Sequence, residues 1–247
     1  MLNIELRNHI AILTIDRPEV RGAMNEELAL KIHQTLLKLD GDDEVKAIIL
    51  TGHETGFCSG SDLKELATKD FAGISETERV KGQTTRSVSF LNKPVIAAVN
   101  KFAIGGGMVF AAMCDVVFTH KDSYWAFPEV ALGWGPVWGV QVLLSRVGPV
   151  NCKRLAWGVS PCTGEEAYQV GLADFIVEEE TLLESTIEYA EKLAALPPQA
   201  VAATKQLLAP LVGFNSQALD NAANRAFVEC CKTPEAKATW AKFGVTE

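Results

Sequence analysis

Two glycine-bearing turns, each at the end of an apolar, strand-like run, constrain this chain more than any other feature. The first, Phe57-Cys58-Ser59-Gly60-Ser61-Asp62, follows Ala47-Ile48-Ile49-Leu50. The second, Ile104-Gly105-Gly106-Gly107, follows Pro94-Val95-Ile96-Ala97-Ala98-Val99. Glycine permits φ > 0 and close approach of a ligand to the backbone, and a helix starting beyond the turn adds its positive dipole end. Two such turns can aim two backbone N–H groups at one point, which is how an oxyanion hole is built from backbone alone. Either turn by itself reads as an ordinary strand-to-helix connection. Three successive glycines before the apolar, helix-compatible run Met108 to Met113 exceed what a helix start requires.

Around these turns the pattern alternates. Strands are expected over residues 10–15, 47–50, 95–99, 116–118 and 175–177, and helices over 25–39, 140–146 and 164–170, so crossover units and a largely parallel sheet follow. From residue 181 the pattern turns helical (181–196, 199–211, 216–232). Residues 66–82 mix charges, glycine and hydroxyl residues with weak periodicity and read as a mobile loop or ragged helix, the segment most prone to disorder. The simplest division is an α/β core over 1–178 and a C-terminal helical subdomain over 179–247.

A formal charge of −8 and a pI near 5.1 give no basic footprint for nucleic acid or an anionic membrane. The six cysteines (58, 114, 152, 162, 230 and 231) form no metal or disulfide pattern, so no metal site is expected and reduced thiols of a cytoplasmic protein are the default. The N-terminus starts with strand-like alternation rather than a signal peptide, and no apolar run approaches a membrane span.

The chain resembles the crotonase superfamily, the enoyl-CoA hydratases and isomerases. The resemblance is carried by Ile15-Asp16-Arg17-Pro18-Glu19-Val20-Arg21, Phe57-Cys58-Ser59-Gly60-Ser61-Asp62-Leu63, Lys93 to Asn100, Gly105-Gly106-Gly107, Ala112-Met113-Cys114-Asp115 and Phe127-Pro128-Glu129-Val130-Ala131-Leu132-Gly133. It implies an α/β crotonase fold of repeated ββα units with a C-terminal helical trimerisation subdomain, assembled as a homotrimer or homohexamer. It also implies an acyl-CoA thioester substrate, coenzyme A entering as part of that substrate and no permanently bound cofactor. The thioester oxygen would sit on the Ser61 and Gly106 N–H groups, with Glu129 as the catalytic carboxylate and Ser59 and Asp62 beside the ligand. Arg21 matches the family position that meets CoA phosphate or adenosine. Lys242 lies in a tail that resembles the family's C-terminal motif loosely.

Glu129 is flanked by apolar residues. It is either a solvated strand-end acid or a buried carboxyl raised into the range of a proton shuttle. Asp62-Leu63-Lys64-Glu65 has capping-box spacing, so Asp62 is a helix cap or a ligand contact. Family hydratases carry a second glutamate two residues past the glycine triplet, where this chain has Val109. Hydration needs water activated and a proton delivered, work for two carboxylates, whereas moving a proton from C2 to C4 of an enoyl thioester needs one. Trp134 and Trp138, with Val109, are expected to line a water-poor pocket or else to pack the core. Val137 replaces an aspartate used by some family members. These residues favour a Δ3-Δ2-enoyl-CoA isomerase; a hydratase or acyl-CoA hydrolase and a non-catalytic acyl-CoA-binding protein are the alternatives.

Overall fold

The structure is a computed structural model, and it describes residues 1–213 and 216–245. Strand β1 (Leu2–Arg7) forms an antiparallel hairpin with β2 (Ile10–Ile15), and the chain then crosses through α1 (Glu26–Asp40) to β3 (Ala47–Gly52). Asn25 caps α1 through Leu28 N. Every residue of β3 is buried, as expected of a strand covered on both faces.

After the first glycine turn come the short α2 (Leu63–Leu66) and α3 (Phe71–Ser87), then β4 (Val95–Val99), β5 (Phe102–Ile104) and α4 (Gly106–Met113). The unit repeats as β6 (Val116–Thr119), β7 (Tyr124–Ala126) and α5 (Val140–Trp157), the last broken at Gly148-Pro149. It closes with β8 (Cys162–Thr163), α6 (Gly164–Gln169) and β9 (Phe175–Ile176). The main sheet runs β1-β2-β3-β4-β6-β9 and is parallel beyond β1; a second sheet runs β5-β7-β8. Four helices follow: α7 (Leu182–Ala194), α8 (Pro198–Gly213), α9 (Ser216–Cys230) and α10 (Pro234–Lys242). Among the described residues no helix is long and apolar enough to cross a membrane.

Alternate residues of the main sheet feed two cores. Ile48, Leu50, Val95, Ala97 and Val99 join the larger one with α1, α4 and α5. Ile10, Ile12, Ile49, Ile96 and Phe118 form the smaller one, sealed by Leu182, Ile187 and Ala190 of α7. Helix α7 therefore belongs to the packing of the sheet itself.

One expectation is met only in part, in a way that matters for the site. Within residues 66–82 only the short connection 67–70 is loop; from Phe71 the chain is α3, a regular rather than ragged helix of 17 residues, capped by Asp70 through Gly73 N. Its buried face is polar, with Thr77, Glu78, Lys81, Thr84 and Thr85 beside Ile74 and Gly82, so no apolar period marks it in the sequence.

Candidate active site

The two glycine turns lie side by side. Ile104 N donates to Cys58 O (3.0 Å), and a Cβ on Gly60 would stand 3.3 Å from Gly106 N. The first turn is held from the other side by Met24, whose N–H donates to Gly60 O (2.7 Å) and whose carbonyl accepts from Asp62 N (3.0 Å). The intervening Ser61 N–H has no acceptor among the described residues, and neither does the N–H of Gly106 at the start of α4. Two donors left unsatisfied at adjoining turns are the elements of an oxyanion hole.

Glu129 closes in on this point. Gly105 adopts φ +54, where only glycine is at ease, and a Cβ there would lie 2.6 Å from Glu129 Oε1. The residue keeps partial exposure, but Oε2 is sealed from solvent and has no hydrogen-bond partner. Burial pushes the carboxyl up to about 8, its own backbone amide opposing and the Glu78 charge adding to the rise. A carboxyl with that proton affinity can both take and return a proton near neutrality.

The cavity shared by these groups is small, about 90 Å³, and its walls are mostly apolar: Val109, Leu132, Trp134, Val137, Trp138 and, from the C-terminal helices, Phe227 and Trp240. Trp134 stacks on Trp240 (centroids 4.8 Å, 12° between planes) and meets the Phe227 ring edge-on at 5.9 Å. Val109 is fully buried on α4, at the position where a second glutamate is absent.

The cavity nevertheless holds a second carboxylate. Glu78 of α3 is 4% exposed and lines the wall. Its Oε1 accepts from Ser61 Oγ (2.7 Å) and from the fully buried Lys81 Nζ (2.9 Å), and its Oε2 from Trp138 Nε1 (2.9 Å). It does not stand out in the sequence because its segment, lacking an apolar period, reads as a mobile loop or ragged helix; the signal that could have found it is the spacing of Glu78 and Lys81, one helical turn apart.

Of the remaining candidates, Ser59 lines the cavity, with its N–H on Arg21 O (3.2 Å) and its hydroxyl donating to Val20 O (3.3 Å). Asp62 is outside it: its carboxylate caps α2 through the Lys64 and Glu65 N–H groups and accepts from Arg17 Nη2 (3.1 Å), so the capping reading describes it. Arg21 is exposed, its guanidinium over the Phe102 ring at 4.5 Å, one residue-to-residue step from the Ser59 turn. Lys242 is exposed at the end of α10, away from the cavity lining. Cys58, behind the first turn, is no nucleophile: burial pushes its thiol up to about 11.

Comparisons with known proteins give the family. The model of the enoyl-CoA hydratase/isomerase family matches residues 5–243. The chain is 31% identical over 242 residues to a short-chain-enoyl-CoA hydratase of Clostridium acetobutylicum, covering 97% of this chain and 93% of that protein. It is 32% identical over 208 residues to a 2,3-dehydroadipyl-CoA hydratase of Escherichia coli, covering 84% and 81%. Among solved structures, an enoyl-CoA hydratase/isomerase from Pseudoalteromonas atlantica superposes with a TM-score of 0.87 at 27% identity, covering 98% of this chain and 96% of that one. Fold, paired turns and matched length together place the chain in the enoyl-CoA hydratase/isomerase family, with the crotonase fold.

Proposed function

We propose that the protein is a Δ3-Δ2-enoyl-CoA isomerase in which Glu129 is the only proton carrier. The single observation that carries this reading is the unpartnered, solvent-sealed Oε2 of Glu129 beside the two free turn amides. A 3-enoyl thioester would place its carbonyl oxygen on the Ser61 and Gly106 N–H groups. Glu129 would take a C2 proton as the C–H electron pair spreads into the carbonyl, and the dienolate would then collect that proton at C4, leaving the 2-enoyl thioester. Nothing else is added or lost. The apolar walls, three of them indoles, disfavour the water that hydration needs. Arg21, at the open side of the Ser59 turn, is our candidate for the CoA phosphates.

A hydratase is the second reading, and two observations favour it: the relatives named above are hydratases, and Glu78 supplies a second carboxylate in the cavity. Against it, both Glu78 oxygens are already engaged by three donors. Turnover decides between them. Conversion of 3-enoyl-CoA to 2-enoyl-CoA that is lost in Glu129→Gln, with hydration slow or absent, supports the isomerase. Rapid hydration of 2-enoyl-CoA with 3-enoyl-CoA left untouched refutes it, and no turnover of either leaves a binding protein.

For assembly we propose a trimer or a pair of trimers. Leu207 and Leu208 of α8 are exposed, at 77% and 50%. The sequence offers Leu211, Val212, Phe214, Phe227 and Val228 as further apolar positions for such a surface; of these Phe227 and Val228 pack inward, and Phe214 with the side chains of Leu211 and Val212 lies outside the described residues. A monomer by light scattering at micromolar concentration would overturn the proposal.

A further inference from the structure

Glu78 has no role in the proton transfer just described, yet it costs the fold a buried charge on a helix face that aliphatic residues could fill. Its contacts indicate what it does. Ser61 supplies one oxyanion N–H, and its hydroxyl donates to Glu78 Oε1; the two residues are 17 apart in sequence. Trp138, 60 residues from Glu78, donates its indole N–H to Oε2. The same indole lies against the other oxyanion residue, since a Cβ on Gly106 would come within 2.7 Å of Trp138 Cζ2. Glu78 is thus bonded to one half of the oxyanion hole and to the ring that backs the other half.

The carboxylate is itself fixed. Lys81, one turn along α3, is fully buried and pairs with it at 2.9 Å, with Glu65 Oε2 as a second anion at 3.8 Å. Gly82, adjacent to Lys81, lets α3 approach closely: a Cβ there would meet Trp138 Cβ at 3.0 Å. Helix, indole and turn therefore form one hydrogen-bonded unit.

We propose that Glu78 is a positioning residue, a bracket that sets the distance between the Ser61 and Gly106 amides by holding Ser61 and Trp138 on its two oxygens. It requires both oxygens and both donors. An amide in its place offers one acceptor and turns an N–H₂ toward either Trp138 or Ser61. An aspartate keeps the charge but is one methylene too short to hold both partners. The inference rests on the two amides receiving a thioester oxygen and is indifferent to whether isomerisation or hydration follows.

Glu78 also faces Glu129, and the groups charged around that carboxyl are Glu78 and, through it, Lys81 and Glu65. Removing the Glu78 charge should lower the pH at which Glu129 ionises, which a purely structural role would not do.

The test compares wild type, Glu78→Gln and Glu78→Asp in two measurements. Calorimetry with butanoyl-CoA, an unreactive thioester, and with free CoA isolates capture of the carbonyl; the pH dependence of kcat/KM with whichever enoyl-CoA the wild type turns over reports Glu129. In Glu78→Gln, butanoyl-CoA should bind at least tenfold more weakly with CoA affinity unchanged, and the acid limb should move to lower pH. In Glu78→Asp the thioester affinity should fall while the limb stays. If Glu78→Gln leaves Lys81 unpaired and does not fold, the double variant Glu78→Gln/Lys81→Met removes both buried charges and takes the same measurements. Wild-type thioester affinity and an unmoved limb in the Gln variants would overturn the proposal. Failure of both enoyl-CoA substrates with intact butanoyl-CoA binding would overturn the enzymatic reading alone.

Discussion

Replacing Glu129 with Gln should make the protein more stable, and only above the acid range. In the fold this carboxyl holds its proton up to about pH 8, against an ordinary value near 4.5. Below about pH 4.5 it is protonated both folded and unfolded and contributes nothing. Between the two values the unfolded chain has released the proton and the folded one has not, so stability falls as pH rises; above 8 both are ionised and the loss is complete. At about 1.4 kcal/mol per pH unit the gap corresponds to a cost of roughly 5 kcal/mol as an upper bound, and relaxation of the cavity brings the expected figure to about 2–5 kcal/mol. Gln has the shape of the protonated acid and does not titrate. Urea unfolding at pH 5, 7 and 9, at fixed protomer concentration, should therefore show the two proteins within about 1 kcal/mol at pH 5 and the variant ahead by at least about 2 kcal/mol at pH 9, with equal m values. A difference that stays constant from pH 5 to pH 9 would show that Glu129 does not carry a raised pKa in the fold.

The same carboxyl should govern rate: kcat/KM for proton transfer is expected to climb with pH and level off above about pH 8, and a plateau already reached at pH 6 would exclude it as the base. Gly105→Ala combines a positive φ with a Cβ pressed on Glu129 Oε1, so turnover should fall at least a hundredfold and stability by about 1–3 kcal/mol, read from kinetics and thermal melts. Val109→Glu puts a carboxyl at the position of the absent second glutamate, but Val109 is 1% exposed and in tight contact with Gly139; a loss of about 2–4 kcal/mol in a denaturation curve is expected rather than new hydratase activity, and a well-folded variant with rapid hydration would contradict the packing argument. Trp240→Ala removes the ring stacked on Trp134 and should cost about 3–5 kcal/mol by the same measurement.

The parts of the site that were legible in the sequence are those where backbone geometry dictates residue type. A turn that must expose N–H groups and admit a carboxyl at Gly105 leaves no choice of side chain, and the apolar strand before each turn shows where it stands. Glu129 was legible through the family resemblance, since its apolar neighbours alone leave a solvated strand-end acid equally open. Glu78 was not, since the groups that make its burial tolerable come from distant turns and from Lys81, and a helix face of Thr, Glu and Lys has the pattern of one facing water. The smaller sheet escaped for a different reason: strands of two or three residues such as β5, β7 and β8 are too short for any alternation to register.

Stacking of Trp240 on Trp134 gives the cavity a roof that comes from α10, far beyond the sheet in the order of synthesis. Part of the apolar wall that accompanies Glu129 in this cavity is therefore supplied by residues far later in the chain, and the setting of that carboxyl is a property of the whole fold rather than of the turn that carries it.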